Sequence, residues 1–207
     1  MLDFYFSPGS CALASHIALE EAGAEYRGHR VDFGQNQQQS PAFLKVNPKG
    51  RVPALATPEG ILTETPAMLV YIAQTHPAAE LAAMDDPFAF ARLQAFNSYL
   101  ASTAHVAHAH KGRGKRWADT PEAIADMQRK VPETMAAVFA YIEDHAFVGP
   151  YAMGAAYSVA DAYLYTVARW LEGDGVAVAQ FPKVARHLAM MAERPAVQAA
   201  LKAEGLA

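Results

Sequence analysis

Apolar residues open the chain in short blocks and then fall into helical spacing. Leu2 to Phe6 is an apolar run of strand length that breaks at Ser7-Pro8-Gly9. Leu13, Ile17 and Leu19, with Ala14, Ala18 and Ala22, then recur at helical intervals up to Gly23. This pattern predicts a buried strand, then a helix over 11–22 with Gly23 as its terminating residue. Tyr26 to Val31 reads as a second strand. Gln35 to Ser40 is too polar and too rich in glutamine for a core and reads as a mobile or ligand-facing loop. Pro41 to Val46 leaves room for one or two helical turns before the turn signal Asn47-Pro48-Lys49-Gly50. Arg51 to Ala56 predicts a third strand, Thr57-Pro58-Glu59-Gly60 a hairpin turn, and Ile61-Leu62-Thr63 its antiparallel return. Behind Glu64-Thr65-Pro66, the residues Met68, Leu69, Ile72 and Ala73 resume the helical period.

From His76 on, the pattern changes. The stretch 77–87 begins and ends with proline and carries Asp85-Asp86, which reads as a linker between an N-terminal domain, 1–76, and a C-terminal one, 88–207. Phe88, Leu93, Phe96 and Leu100 start a long helix running to about His110, and Glu122 to Ile142 forms another, bent or interrupted at Pro132. Ser158-Val159-Ala160-Asp161 has the spacing of a capping box, with aspartate in the usual glutamate place. Pro182 to Met191 and Pro195 to Leu201 complete about five helices with no strand pattern among them. The predicted architecture is α/β plus all-α: a thioredoxin-like N-terminal domain followed by an all-helical C-terminal domain.

Charge and composition narrow the function classes. With 207 residues, a formal charge of −4 and a pI near 6.0, the chain lacks the net basic face that a general nucleic-acid or anionic-membrane surface needs. No segment approaches the roughly 20 apolar residues of a membrane-spanning helix. The N-terminus has no basic region before its short apolar run, and a single cysteine cannot form an internal disulfide, so a cytoplasmic location is expected.

That cysteine, Cys11, falls where the first strand breaks and enters a helix. Free backbone N–H groups and the helix dipole at such a break form an anion site, and a sulfur in the first helical turn is favoured as thiolate. A fall in its pKa from about 8.5 to about 6.5 would raise the thiolate fraction at pH 7 from roughly 3% to roughly 75%. The competing reading is a small buried hydrophobe, as most lone cysteines are. Ala14 occupies the second position of a Cys-x-x-Cys dithiol, which speaks against a self-contained disulfide reductase. A cis Val52–Pro53 bond is expected, and a bend there would leave the Val52 N–H and C=O free to pair with an extended peptide ligand; an ordinary trans proline at a strand edge is the alternative. Thr65 at N-cap with Pro66 at N1 makes a strong helix start whose hydroxyl and free N–H groups can bind one carboxylate. Glu64 beside it can hold an ammonium, so the pair suits the head of an amino acid, although the motif also serves as a plain cap. His105, His108 and His110 invite a metal, yet only the first two share a helix face and no carboxylate or cysteine nearby completes a set. Lys111 to Trp117 is a short basic stretch that could touch anionic substrates or nucleic acid, but in an acidic chain it reads first as a solvated connection.

SPGSCALASHIALEEAG, NPKGRVPAL, TETPAMLVYIA, YSVADAYLYTVARW and MAERPAVQAAL together resemble a cytosolic glutathione transferase of the bacterial beta class, over nearly the whole chain. The resemblance implies a thioredoxin-like domain that holds glutathione, a helical domain that shapes the site of a small hydrophobic electrophile, a homodimer, and chemistry without a metal. It implies that Cys11 lies beside the glutathione sulfur with His105 over it and Ser10 supplying a hydroxyl. Val52, before cis-Pro53, would pair with the cysteinyl backbone, and Glu64 and Thr65 would hold the γ-glutamyl end. Arg51 would approach the glycine carboxylate, with Gln35 and Gln37 in the loop that also reaches it. Phe6, Tyr163 and Trp170 would border the electrophile. Ala12 stands where a serine often follows the cysteine, and Val106 where a lysine often follows the histidine, which makes this site less polar. The arginine-free segment Ala12 to Ala18 argues against isomerisation of maleyl-type substrates. The implied activity is conjugation of the glutathione thiol to electrophiles. A thiol transferase or peroxide reductase working through a Cys11–glutathione mixed disulfide, and a non-enzymatic binder of apolar ligands, are the alternatives.

Overall fold

The patterned segments form four strands and nine helices. A computed structural model describes residues 1–207. The N-terminal elements are β1 (Leu2–Phe6), α1 (Ala12–Glu21), β2 (Tyr26–Arg30), α2 (Pro41–Val46), β3 (Ala54–Thr57), β4 (Gly60–Thr63) and α3 (Thr65–Thr75). The sheet order is β2-β1-β3-β4, with β1 parallel to β2 and antiparallel to β3, and β3 antiparallel to β4. A parallel β1–β2 pair needs a crossover, and α1 supplies it. This is the thioredoxin-like layer that the patterning predicts. The Val52–Pro53 bond is cis, as expected, and β3 begins only at Ala54, so Arg51 and Val52 stand outside the ladder. A second cis proline, Pro150, has no signal in the sequence.

The remaining helices are α4 (Pro87–Tyr99), α5 (His105–Arg113), α6 (Pro121–Tyr141), α7 (Val159–Ala168), α8 (Pro182–Ala192) and α9 (Pro195–Glu204). The single long helix read from 88 to about 110 is thus two segments, joined by a π turn at Leu100–Ala104. A π turn inserts one extra residue and rotates everything after it, which apolar spacing does not reveal. His105 is the first residue beyond that turn. No helix is long and apolar enough to cross a membrane.

α1 is the element around which both layers close. Every residue from Ala12 to Leu19 is buried, so the helix has no solvent face. Ala12, Ala14, Ala18 and Leu19 join the main core with Phe4, Leu55 and Leu69 of the sheet layer. Leu13 and Ile17 point the other way, into a second cluster with Ala162 and Tyr165 of α7, Met191 of α8, and Val197 and Ala200 of α9. Burying each of those two side chains contributes about 1.5–3 kcal/mol. The start of α1, where Cys11 sits, is therefore held by both domains at once.

Candidate active site

A cleft of about 970 Å³ separates the sheet layer from the helical domain. Ser10, Cys11, Arg51, Val52, Pro53, Glu64 and Thr65 line it from the N-terminal side, and His105, Tyr163 and Trp170 from the helical side. Three of the expected residues, Gln35, Gln37 and Phe6, do not. Gln35 is exposed on the outer side of its turn, where the Asp32 carboxylate accepts its backbone N–H at 3.3 Å; Asn36, Gln38 and Gln39 reach the cleft instead. Gln37 is also turned away, its Oε1 accepting the Asp32 N–H at 2.9 Å. Asn36 has a left-handed φ of 55°, and beyond this twist Gln38 and Gln39 reach the cleft while Gln37 does not. Phe6 is 5% exposed, stacked on Phe4 with 5.9 Å between ring centroids, and lies on a separate hollow behind the sheet. Strand alternation sends Phe4 and Phe6 to the same face, towards His16 on α1 and away from the cleft.

Cys11 occupies the N-cap of α1, but the thiolate expected there is not favoured. Burial pushes its pKa up to about 11, against a smaller opposing effect of the Thr65 hydroxyl. Its Sγ lies 3.6 Å from the Val52 carbonyl oxygen, an acceptor that suits a thiol. The free N–H groups anticipated at the strand break are mostly taken. Gly9 N–H donates to Glu204 Oε2 at 2.8 Å, Ser10 N–H to the Ser7 carbonyl at 3.1 Å, and Ala12 N–H to Ser10 Oγ at 3.3 Å. The Cys11 N–H, like that of Ser7 before the turn, has no acceptor. Ser10's hydroxyl proton is also engaged, donated to the Ser7 carbonyl at 2.7 Å, so Ser10 supports the turn and has no proton to offer the sulfur.

The Val52 N–H has no partner within the chain. At the start of α3 the cap is Glu64, with Thr65 at N1, one residue off the predicted register. Glu64 has φ 73° and ψ 120°, a sparsely populated conformation for a non-glycine residue that costs of order 1–3 kcal/mol and is characteristic of functional sites. The Thr65 and Ala67 N–H groups have no backbone acceptor, which leaves the anion site expected there. The Glu64 carboxylate is paired with Lys49 Nζ, which also donates to Thr63 Oγ1 at 2.7 Å.

On the facing wall, burial and then the nearby His108 and arginine charges lower the His105 pKa to about 4, so the ring is neutral at physiological pH. It packs against Trp170 with centroids 5.2 Å apart, while His108 stacks on the same indole at 4.2 Å and its Nδ1 lies 2.7 Å from Asp174 Oδ2. No group of three or more His, Cys, Asp or Glu is placed to hold a metal ion. Trp170 Nε1–H donates to the Gly9 carbonyl at 3.0 Å, so the helical domain grips both polar groups of Gly9. Gly9 itself has φ 69°, which favours glycine at this corner. Tyr163 is 1% exposed, and burial raises its hydroxyl pKa.

Residues 3–74 match the Glutathione S-transferase N-terminal domain, and residues 116–204 its C-terminal domain. The Escherichia coli O157:H7 protein "Glutathione S-transferase GstA" is 32% identical over 99% of this chain and 100% of its own. The chain belongs to the glutathione S-transferase family. Among solved structures, a Sulfitobacter glutathione transferase homologue with bound glutathione superposes with a TM-score of 0.96, at 47% identity over 100% of this chain and 99% of its own. The beta-class glutathione S-transferase of Sphingomonas chungbukensis gives 0.86 at 34% identity, over 99% and 100%.

Within this glutathione S-transferase the basic residues Lys111, Arg113, Lys115 and Arg116, at the end of α5 and just beyond it, are solvent-exposed as their sequence reading has it. Lys111, Arg113, Arg116 and Trp117 all line the cleft. Their basic composition leaves contact with an anionic substrate open; which of them reach the cleft depends on where α5 ends relative to Phe33.

The low pKa of His105 has a measurable consequence. Unfolded, its imidazole titrates near 6.5; folded, near 4. As pH falls from about 6.5 towards 4, the unfolded chain takes up a proton that the folded chain refuses, so the stability tied to the neutral ring, complete above 6.5, is lost across that window. In an NMR titration of the protein the His105 ring signals are expected to move near pH 4. A midpoint near 6.5 would show a solvated ring.

Proposed function

We propose that this transferase binds glutathione along the cleft and delivers its thiolate to a small hydrophobic electrophile. The observation that carries the reading is the meeting on one cleft of an unpaired Val52 amide, an open first turn of α3 beside Glu64, and Cys11. Glutathione has the matching parts: an extended cysteinyl backbone, an amino-acid head and a thiol. Relatives solved with glutathione bound support the same choice. Val52 would pair with the cysteinyl backbone. Thr65 and the first turn of α3 would take the γ-glutamyl carboxylate, Glu64 its ammonium, and Arg51 with Gln38 or Gln39 the glycine carboxylate. In the reaction the sulfur forms a bond to the electrophilic carbon, the leaving group departs with its electron pair, and the thiol proton passes to solvent. The developing thiolate would be met by the Cys11 N–H and S–H and by His105 acting as a neutral donor. Tyr163, Trp170 and Val106 would border the electrophile.

Residues 1–76 would form the glutathione-holding domain and 88–207 the electrophile-holding one, joined by 77–87. Detoxification by a cytoplasmic homodimer completes the proposal.

Calorimetric titration with glutathione and turnover of chlorodinitrobenzene test it directly: neither binding nor turnover would refute it. Glu64→Ala sharpens the test. Losing a hydrogen bond to a charged group should weaken glutathione binding by about 1.5–3 kcal/mol, roughly 10- to 150-fold. Because Lys49 already pairs with this carboxylate, the ammonium must share it or displace that lysine, and affinity unchanged in the variant would remove Glu64 from the site.

A further inference from the structure

The cleft is basic in an acidic chain. Arg51, Arg113 and Arg116 all line it, and none of the three forms an ion pair with a carboxylate. Its one acidic lining residue, Glu64, is held by Lys49. Lys111 also faces the cleft but is drawn off by Asp174, 3.5 Å away, and by the Gly173 carbonyl. The arginines share one cleft with Cys11, and ionisation of Arg116 is disfavoured by burial and then by the charges of Arg51 and Arg113. Arg113 reaches across the mouth, its Cζ 5.4 Å over the ring of Phe33 from the opposite domain. A guanidinium lying on an aromatic face, beside the indole of Trp117, offers charge and a flat apolar surface together.

If glutathione binds as proposed above, its own charges use up Arg51, Glu64 and the start of α3. Arg113 and Arg116 are left without an anion. Both are solvent-exposed, so their mutual repulsion is modest, and a bound anion between them would turn it into attraction. The strongest match for a guanidinium is a carboxylate, which it binds in two parallel hydrogen bonds. We propose that Arg113 and Arg116 form an anion subsite that selects electrophiles carrying a carboxylate on a flat aromatic or conjugated frame.

The inference rests on the glutathione reading, and the test separates the two. Chlorodinitrobenzene and chlorodinitrobenzoate differ by one carboxylate. With both, the glutathione sulfur bonds to the ring carbon, the C–Cl bond breaks, chloride leaves with the bonding pair and the thiol proton goes to solvent. Turnover of the uncharged compound reports on the proposed function alone. Relative to the uncatalysed rates, the wild-type protein should favour the carboxylate at least ten-fold in kcat/KM, through KM and not kcat. Arg113→Gln and Arg116→Gln should each cut that preference at least ten-fold, and 0.5 M salt should reduce it in the wild type.

A second pair, the glutathionyl–thionitrobenzoate mixed disulfide against hydroxyethyl disulfide, distinguishes an aromatic acid from a thiol-derived partner. There the Cys11 sulfur attacks the mixed disulfide and forms a Cys11–glutathione bond as thionitrobenzoate leaves with the electrons of the broken S–S bond; a glutathione thiolate then breaks that new bond, releasing glutathione disulfide and Cys11. Arginine-dependent preference in either pair supports the subsite and names the source of the carboxylate. Calorimetry with dinitrobenzoate, which has no leaving group, reads the same subsite without turnover, and the two variants should weaken it at least ten-fold. Equal preference in wild type and variants, with unchanged dinitrobenzoate binding, overturns the proposal. So does a rise in the glutathione KM as large as that for the electrophile, which would give the arginines to glutathione itself.

Discussion

Cys11→Ala is expected to keep measurable conjugation of chlorodinitrobenzene while abolishing glutathione-dependent disulfide reduction. The two chemistries ask different things of one sulfur. Thiol exchange must pass through a covalent bond to Cys11 in every cycle, because no second cysteine exists to stand in for it. Conjugation uses the sulfur of glutathione, and Cys11 serves as one donor among several. With a pKa near 11, Cys11 is thiolate in only about one molecule in 10⁴ at pH 7. It is therefore an S–H donor aimed at a neighbour, as its contact with the Val52 carbonyl illustrates. Removing one donor from a preorganised anion site costs about 10- to 1000-fold at most. Mass spectrometry of the wild type under oxidising conditions should find glutathione on Cys11. If a folded, glutathione-binding Cys11→Ala variant conjugates nothing, Cys11 is essential to both reactions and the order argued here fails.

Asp161→Ala should be the most damaging single change far from the cleft. A helix cap alone is worth about 0.5–2 kcal/mol, and that is all the Ser158–Asp161 spacing supports. In the structure the carboxylate, fully buried, does much more. Oδ2 accepts the Ser158 N–H at 2.8 Å and the Ser158 hydroxyl at 3.3 Å, closing the box. Oδ1 accepts the Ala152 N–H at 2.6 Å and faces His187 Nε2 at 2.9 Å. Alanine would leave a buried backbone N–H and a buried imidazole without partners, so the loss is about 3–5 kcal/mol. For a chain of this size that lowers Tm by roughly 6–20 °C. Glutathione affinity per folded molecule should stay at the wild-type value, since Asp161 does not border the cleft. A Tm drop of only 1–2 °C, expressed as about 0.5 kcal/mol, would mean that the network is not formed.

The sequence was most informative where chemistry and local geometry coincide. Pro53 marked the cis bend, Ser158 and Asp161 marked their helix, and the apolar blocks marked where the strands lie, because each signal acts within a few residues. It was least informative where a role depends on distant packing. Cys11 looked activated by its helix start, yet burial by elements far along the chain outweighs the dipole. Phe6 and Gln35 fell on the wrong side of a strand and a turn, whose handedness hangs on one left-handed residue, Asn36. Arg113 and Arg116 are exposed, as their pattern suggests, but that they line the cleft depends on where α5 ends after the π turn.

The grip on Gly9 bears on how this protein is made. Its N–H waits for Glu204, separated from it by 195 positions, and its carbonyl for Trp170, separated by 161. N-terminal domains fold first as a chain leaves the ribosome, at about 5–20 residues per second. The sheet layer can thus assemble early, but the corner beside Cys11 stays unfixed until residue 204 has emerged. A newborn N-terminal layer carries its cleft-lining side chains for many seconds before it has their final geometry.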